Sequence, residues 1–421
     1  MILKKGMIFI KLTYKHTLFA CYLGYITQAV VNNLPPLLFV TFSRQFHITL
    51  DKIALLISVN FITQIITDLV ATVTIKKTGY RVMGMIANVT STIGLVFMAT
   101  LPFVFENAFL GIIIASVFNA IGGGIMEVLV SPMVEALPGD AKASAMSLLH
   151  SFYCWGYVGV VLLSTLYFTT IGIENWQYLP VLWAVIPVFN LFLFVKIPIL
   201  TLEDNSEKVS VFKLFKTKVF WLLVLLMICS GASEMAMAQW SSLFAELGLG
   251  VSKTVGDLLG PCAFAILMGT FRTIYGIKGE KMNLKKTLAF SGSMCVVAYL
   301  VTVFSPNPIV SLVGCAFTGF FVGIMWPGVF SLASQTCSFG GTSMFGLLAL
   351  AGDVGCCSGP ALVGNVSDIL TKKGIPQFLN DFFKNLSDSE IALRMGILCG
   401  MIFPLLLVIG IILISKKHSR V

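Results

Sequence analysis

Residues 201–218 read TLEDNSEKVSVFKLFKTK, the one long polar interruption between the apolar blocks of a 421-residue chain. On either side of it, apolar blocks run to or beyond the ~20 residues that a helix needs to cross ~30 Å of hydrocarbon. None shows the short alternating dyads of an outer-membrane barrel. The chain is 57% hydrophobic and 11% charged, against roughly 25% charged in a soluble domain. The blocks therefore predict an all-α membrane protein with twelve transmembrane helices, at 17–42, 52–75, 82–101, 108–136, 141–169, 179–198, 219–245, 254–275, 287–304, 309–334, 343–368 and 392–414. Six precede the polar stretch and six follow it. The expected organisation is an N-terminal six-helix bundle over 1–198, a cytoplasmic linker over 199–218 and a C-terminal six-helix bundle over 219–421.

A repeat supports that division. GIM at 124–126 in the fourth span recurs at 323–325 in the tenth, and KKTGYR (76–81) has a counterpart in GIKGEKMNLKK (276–286). Two parallel halves imply a cavity between them near the midplane, opened alternately to each side.

The net charge of +9 carries topology. One side holds Lys4, Lys5, Lys11, Lys15, Lys76, Lys77, Arg81, Lys142, the linker, the Lys278 to Lys286 cluster, Lys416, Lys417 and Arg420. The other keeps Arg44, Lys52, Lys253, Lys372, Lys373, Lys384 and Arg394. The positive-inside rule then puts both termini of a multi-pass cell-membrane protein in the cytoplasm. The basic start MILKKGMIFIKLTYKH leads into an apolar block too long for a cleaved signal, so an uncleaved first span is expected. Excess positive charge fits contact with anionic membrane lipid and gives no reason to expect nucleic acid. Ten cysteines lie almost wholly within spans and lack CxxC spacing, so packing is expected of them rather than disulfides or metal.

The absence of HExxH, GxSxG and a phosphate-cradling loop argues against an enzyme. A receptor or scaffold would be expected to carry an extramembrane domain, and the longest outer loop, about 370–391, is short. No nucleotide motif powers a cycle, so the driving force is an ion gradient or the solute's own gradient. Secondary transport explains the pattern, with no cofactor or metal and a monomeric chain.

Ionisable residues near a bilayer centre are costly, at ~2.5–3.5 kcal/mol on insertion scales, and usually mark a pathway. Asn60, Gln64 and Asp68 recur every four residues, one stripe along the second span. The stripe lines water or bonds to other helices, and Asp68 is also placed to touch the Lys76 to Arg81 loop. In GGGIMEVLVSP (122–132) the lone charge Glu127 sits between glycines that thin the helix and Pro132, which removes a hydrogen bond. It is either a reversibly protonated carrier or a packing acid. GASEMAMAQWSS in the seventh span offers Glu234, Gln239 and Trp240, a carboxyl, an amide and an indole suited to a hydroxylated solute, unless the last two are anchors. The repeat sets Trp326 opposite Glu127 on the other half. His150 is a proton relay, a solute donor or a structural histidine. Asp353 needs a donor that the sequence does not name, and Arg272 is read as snorkelling to the cytoplasmic end.

Twelve spans, a central loop and basic glycine-containing loops after spans two and eight resemble the major facilitator superfamily over essentially the whole chain. Within it, GGGIMEVLVSPMVEALP, SLLHSFYCWG and GIMWPGVFSL (323–332) resemble the fucose permease group of sugar:proton symporters. Ser131 stands where that group carries asparagine, and Asn32 and Asn33 stand in a first span without its aspartate. The resemblance implies alternating access with proton coupling. Asn32, Asn60, Gln64, Asn119, His150, Glu234, Gln239, Trp240 and Trp326 are the expected solute-binding residues. Glu127, Asp68 and Asp353 are the expected proton-coupling residues. The amides favour a small hydrophilic solute, a sugar above others. The alternative is a proton-coupled exporter of drug-like or amphipathic solutes.

Overall fold

In a computed structural model, residues 13–137, 142–200, 214–278, 282–337, 341–384 and 386–418 are described. Most of the expected linker, including Ser206, lies outside them. Among the described residues, eleven helices are long and apolar enough to cross a membrane. The first helix, Tyr14–Phe46, packs among them and is counted as the first span, which brings the number to twelve. The following spans are Leu50–Ile75, Tyr80–Val104, Ala108–Val134, Leu149–Thr170, Ile173–Lys196, Lys218–Gly248, Lys253–Tyr275, Leu284–Phe304, Pro308–Thr336, Gly346–Lys373 and Asp388–Ile414. These match the expected spans in number and order, with ends that differ by a few residues, as hydropathy blurs where a helix leaves hydrocarbon.

Local chemistry sets the turns. The second and third spans are joined through Gly79, whose φ of +81° suits a residue without Cβ. Ser387 and Glu390 form a reciprocal cap that starts the twelfth span. The seventh span breaks at Gln239 and Trp240 and resumes with a π-helical turn, Phe244–Gly248. The eighth carries a second π turn, Leu258–Cys262, around Pro261.

The first six spans pack on one another, as do the last six, and the two sets meet along the second and eleventh spans and the fifth and eighth. We call the end bearing Thr13, Gly79 and His418 the terminal face and the opposite end the far face. The far half of the seam is closed. Arg44 pairs with Glu246 at 2.7 Å, Asp51 with Lys372 at 3.5 Å, and Lys253 donates to the Leu37 carbonyl at 2.6 Å. A Cβ on Gly364 would strike Ala54, so the second and eleventh spans touch backbone to side chain there.

The glycine triplet of the fourth span has one neighbour per residue. A Cβ on Gly122 would strike Ser91 of the third span. One on Gly123 would sit 3.3 Å from Val31 and 3.7 Å from Gln28 of the first. One on Gly124 would lie 2.6 Å from Asp68 Oδ1 of the second. The run thus lets three helices close on one short segment of the span that carries Glu127.

Candidate functional site

Close packing around the fourth span leaves a cavity of about 120 Å³ between the two sets of spans. At ~30 Å³ per water in the liquid that is room for about four waters. Tyr25, Gln28, Asn32, Gln64, Glu127 and His150 line one wall; Glu234, Arg272, Trp326 and Asp353 line the other. His150 is exposed to this space from the fifth span, toward the terminal face.

Glu127 is the centre of the first wall. Its Oε2 accepts from Gln28 Nε2 and Gln64 Nε2, both at 2.6 Å. The carbonyl oxygens of both glutamines are buried without a hydrogen-bond partner among the described residues. Two amides thus point their donors at one carboxylate and leave their acceptors unused. Hydrogen bonds to a charged group contribute about 1.5–3 kcal/mol each, so this arrangement fixes the carboxylate's position. Nearby, Tyr25 Oη lies 3.2 Å from Ser131 Oγ and 3.4 Å from His150 Nδ1.

On the second wall Glu234 Oε2 accepts from Arg272 Nη2 at 3.0 Å. Arg272 also donates to the Gly323 carbonyl at 3.3 Å and to Cys154 Sγ, across the halves, at 3.4 Å. The expectation that Arg272 snorkels away to the membrane edge is thereby corrected: its long side chain turns inward to a buried acid. Trp326 lies against the eleventh span, where only glycine fits, because a Cβ on Gly352 would strike the indole.

Five other expected site residues are placed differently. Trp240 is fully buried, its Nε1 donates to the Pro360 carbonyl at 3.1 Å, and it packs on the eleventh span without lining this cavity. Asn119 is buried against Gly94 between the third and fourth spans. Asn60 and Gln239 line a separate small pocket toward the far face. There Gln239 Nε2 reaches the Asn32 carbonyl at 3.4 Å, which Pro36 leaves free because it has no N–H to donate. Among the described side chains Asp68 has no hydrogen bond or ion pair to the Arg81 loop, and Arg81 donates to the carbonyls of Phe194, Val195 and Ile197. Asp68 Oδ1 instead lies against Gly124 of the fourth span, 2.6 Å from where a Cβ would stand.

Tyr25, Gln28, Tyr153 and Arg272 line the cavity and were not among the expected residues. A signal existed for three of them. Gln28 is one turn and Tyr25 two turns before Asn32, and Tyr153 lies three after His150, so each shares a helix face with a residue already singled out. All ten cysteines are free, and Cys356 faces the cavity while Cys357 turns to the Ser58 carbonyl.

A cavity shared by two helical sets, with ionisable groups on both walls, is the arrangement of a solute carrier, and the family match decides the matter. Residues 20–360 match the model of the Major Facilitator Superfamily. The chain belongs to that superfamily. Its members' solved structures share this fold. A bacterial homologue of the human lysosomal transporter Spinster superposes with a TM-score of 0.73 at 14% identity, covering 96% of this chain and 97% of that one. A D-xylose-proton symporter gives 0.70 at 15% identity over 92% and 95%. The E. coli fucose:proton symporter gives 0.63 at 15% identity over 94% and 97%. No curated protein is similar enough in sequence to count as a relative. This superfamily member is a multi-pass membrane transporter and not an enzyme.

Proposed function

We propose that this transporter carries a small hydrophilic solute, a sugar above others, by alternating access, with a proton taken up and released at Glu127. The observation that carries the reading is the pair of amides on Glu127 Oε2, facing the Glu234–Arg272 pair and Trp326 across the cavity. Donors and acceptors on both walls match hydroxyls, and the indole offers a face for the apolar side of a ring. The moving bodies are the bundles 1–198 and 219–421. The sugar and proton substrates named for two structural neighbours agree with this reading.

The terminal face is proposed to be cytoplasmic, on the distribution of basic residues. A cysteine at Ser206 is then inaccessible to impermeant thiol reagents in intact cells, and its labelling without lysis would reverse the orientation.

A second reading, movement of an amphipathic cation, is favoured by one observation. Asn60, Asn119 and Gln239 stand outside the cavity, while Glu127, Glu234 and Asp353 share it with Arg272 as the one arginine among its lining residues. A thermal-shift panel on purified protein separates the two, since a ligand at 100 times its Kd stabilises by about 2.7 kcal/mol. Monosaccharides are expected to raise the midpoint. A shift with organic ammonium ions alone would replace the first reading by the second.

A further inference from the structure

We infer that the short helix Gln377–Phe382, in the loop between the eleventh and twelfth spans, lies in the lipid interface of the far leaflet and takes zwitterionic headgroups as readily as anionic ones. The inference rests on the membrane placement of the spans and not on the solute or on what drives its transport.

The segment GIPQFLNDFFK, residues 374–384, sorts its side chains into three stripes. Ile375, Leu379 and Phe383 recur every four residues and pack against the protein core, Phe383 at 8% exposure. Gln377 and Asp381 form a polar stripe, joined by a hydrogen bond of 3.1 Å from Nε2 to Oδ1. Phe378 and Phe382 form the third stripe and are 69% and 66% exposed. At 3.6 residues per turn these two rings stand about 60–100° to one side of Leu379. The fold thus fills the inner face of this helix and leaves two neighbouring rings outside it, an apolar patch of the kind that marks a contact surface.

What covers the rings follows from what they touch. The ninth span presents Val297, Leu300, Val301 and Phe304 at i, i+3, i+4 and i+7, between 36% and 46% exposed. Those positions share one face of a spanning helix, and the medium around such a face is hydrocarbon. Phe304 ends the stripe at the far face. Its ring meets that of Phe382 edge-on, 5.8 Å between centroids, and stacks on that of Phe383 at 6.0 Å with 7° between planes. Phe382 therefore continues the lipid-facing surface of the ninth span, and Phe378, one turn earlier, extends it along the helix. Arg394 of the twelfth span donates to the Val303 and Ser305 carbonyls, which ties the other end of the loop to the same place.

Charge selects the kind of lipid. Along residues 370–391, Lys372, Lys373 and Lys384 are balanced by Asp381, Asp388 and Glu390. A loop without net charge gains little from an anionic surface, so its apolar face carries the contact.

A nitroxide on a cysteine replacing Phe378, Phe382 or Asp381, in a background without native cysteines, reads the position in phosphatidylcholine bilayers. Collision with oxygen, which concentrates in hydrocarbon, is compared with collision with a water-soluble nickel chelate. The oxygen-to-nickel ratio is expected to be severalfold higher at positions 378 and 382 than at 381, and to stay the same when phosphatidylglycerol is added. Phe378→Asp, read from the label at position 382, is expected to lower the ratio, because a charge draws that face toward water. Equal ratios at the three positions, or an unchanged ratio in Phe378→Asp, overturn the inference. A high ratio only with phosphatidylglycerol also overturns it, by making the contact electrostatic. Low access to both reagents at 378 and 382 overturns it as well, since protein, such as a second copy of the chain, would then cover the rings.

Discussion

Replacing Glu234 with glutamine strips Arg272 of its acid. The two side chains meet at 3.0 Å with 7% and 18% exposure. Removing one partner of a buried pair costs about 3–5 kcal/mol, because the other charge stays buried without compensation. Arg272 keeps the Gly323 carbonyl and Cys154 Sγ and reaches cavity water, so the lower end, about 3 kcal/mol, is expected for Glu234→Gln. Arg272→Met leaves an acid that can neutralise itself with a proton, and about 1–2 kcal/mol is expected. The double variant buries no charge and should lie within about 1 kcal/mol of wild type. Unfolding of the four proteins in one detergent, at one pH, closes the double-mutant cycle. A coupling of at least about 2 kcal/mol supports the buried pair. Strictly additive losses would show that the contact contributes nothing and that Arg272 is held by its other partners.

Two further outcomes separate packing from binding. Trp240→Ala should destabilise by about 3–5 kcal/mol, as a large-to-small change in a filled site, yet leave solute affinity near wild type. Trp326→Ala should do the reverse, weakening solute binding with a smaller loss of stability; binding titrations beside unfolding midpoints check both, and equal effects on the two readouts would erase the distinction. Gly124→Ala puts a methyl group 2.6 Å from Asp68 Oδ1. It should lower the unfolding midpoint, by the overpacking cost of about 1–3 kcal/mol, and an unchanged midpoint would mean that the second and fourth spans separate freely.

The fold was legible because hydrocarbon leaves helices few alternatives: the apolar blocks count the spans and the polar stretch at 201–218 divides them. Glu127 was legible as a lone charge in its span. Rotation about each helix was much less so. Asn119 is eight residues before Glu127, about 80° around the helix at 3.6 residues per turn, which turns it toward the third span. Gln239 and Trp240 follow Glu234 by five and six residues, and the helix breaks between them. Their faces therefore diverge from that of Glu234. Arg272 was misread because distance to the span end was measured along the chain, whereas its side chain reaches back to a partner on the seventh span. The Gln239–Asn32 contact joins residues 207 positions apart on different halves, and no local pattern encodes it.

Glu127 bears the central claim, and glutamine tests it with least disturbance, since Glu127→Gln copies the protonated acid in size and hydrogen bonding. The measurement is solute accumulation in proteoliposomes under an imposed pH gradient, using the monosaccharide that gives the largest thermal shift, with counterflow at equal pH on the same preparation. A proton carrier at Glu127 predicts that the glutamine variant loses accumulation and keeps counterflow, because reorientation with a neutral side chain remains open. Full gradient-driven accumulation by Glu127→Gln would contradict the account.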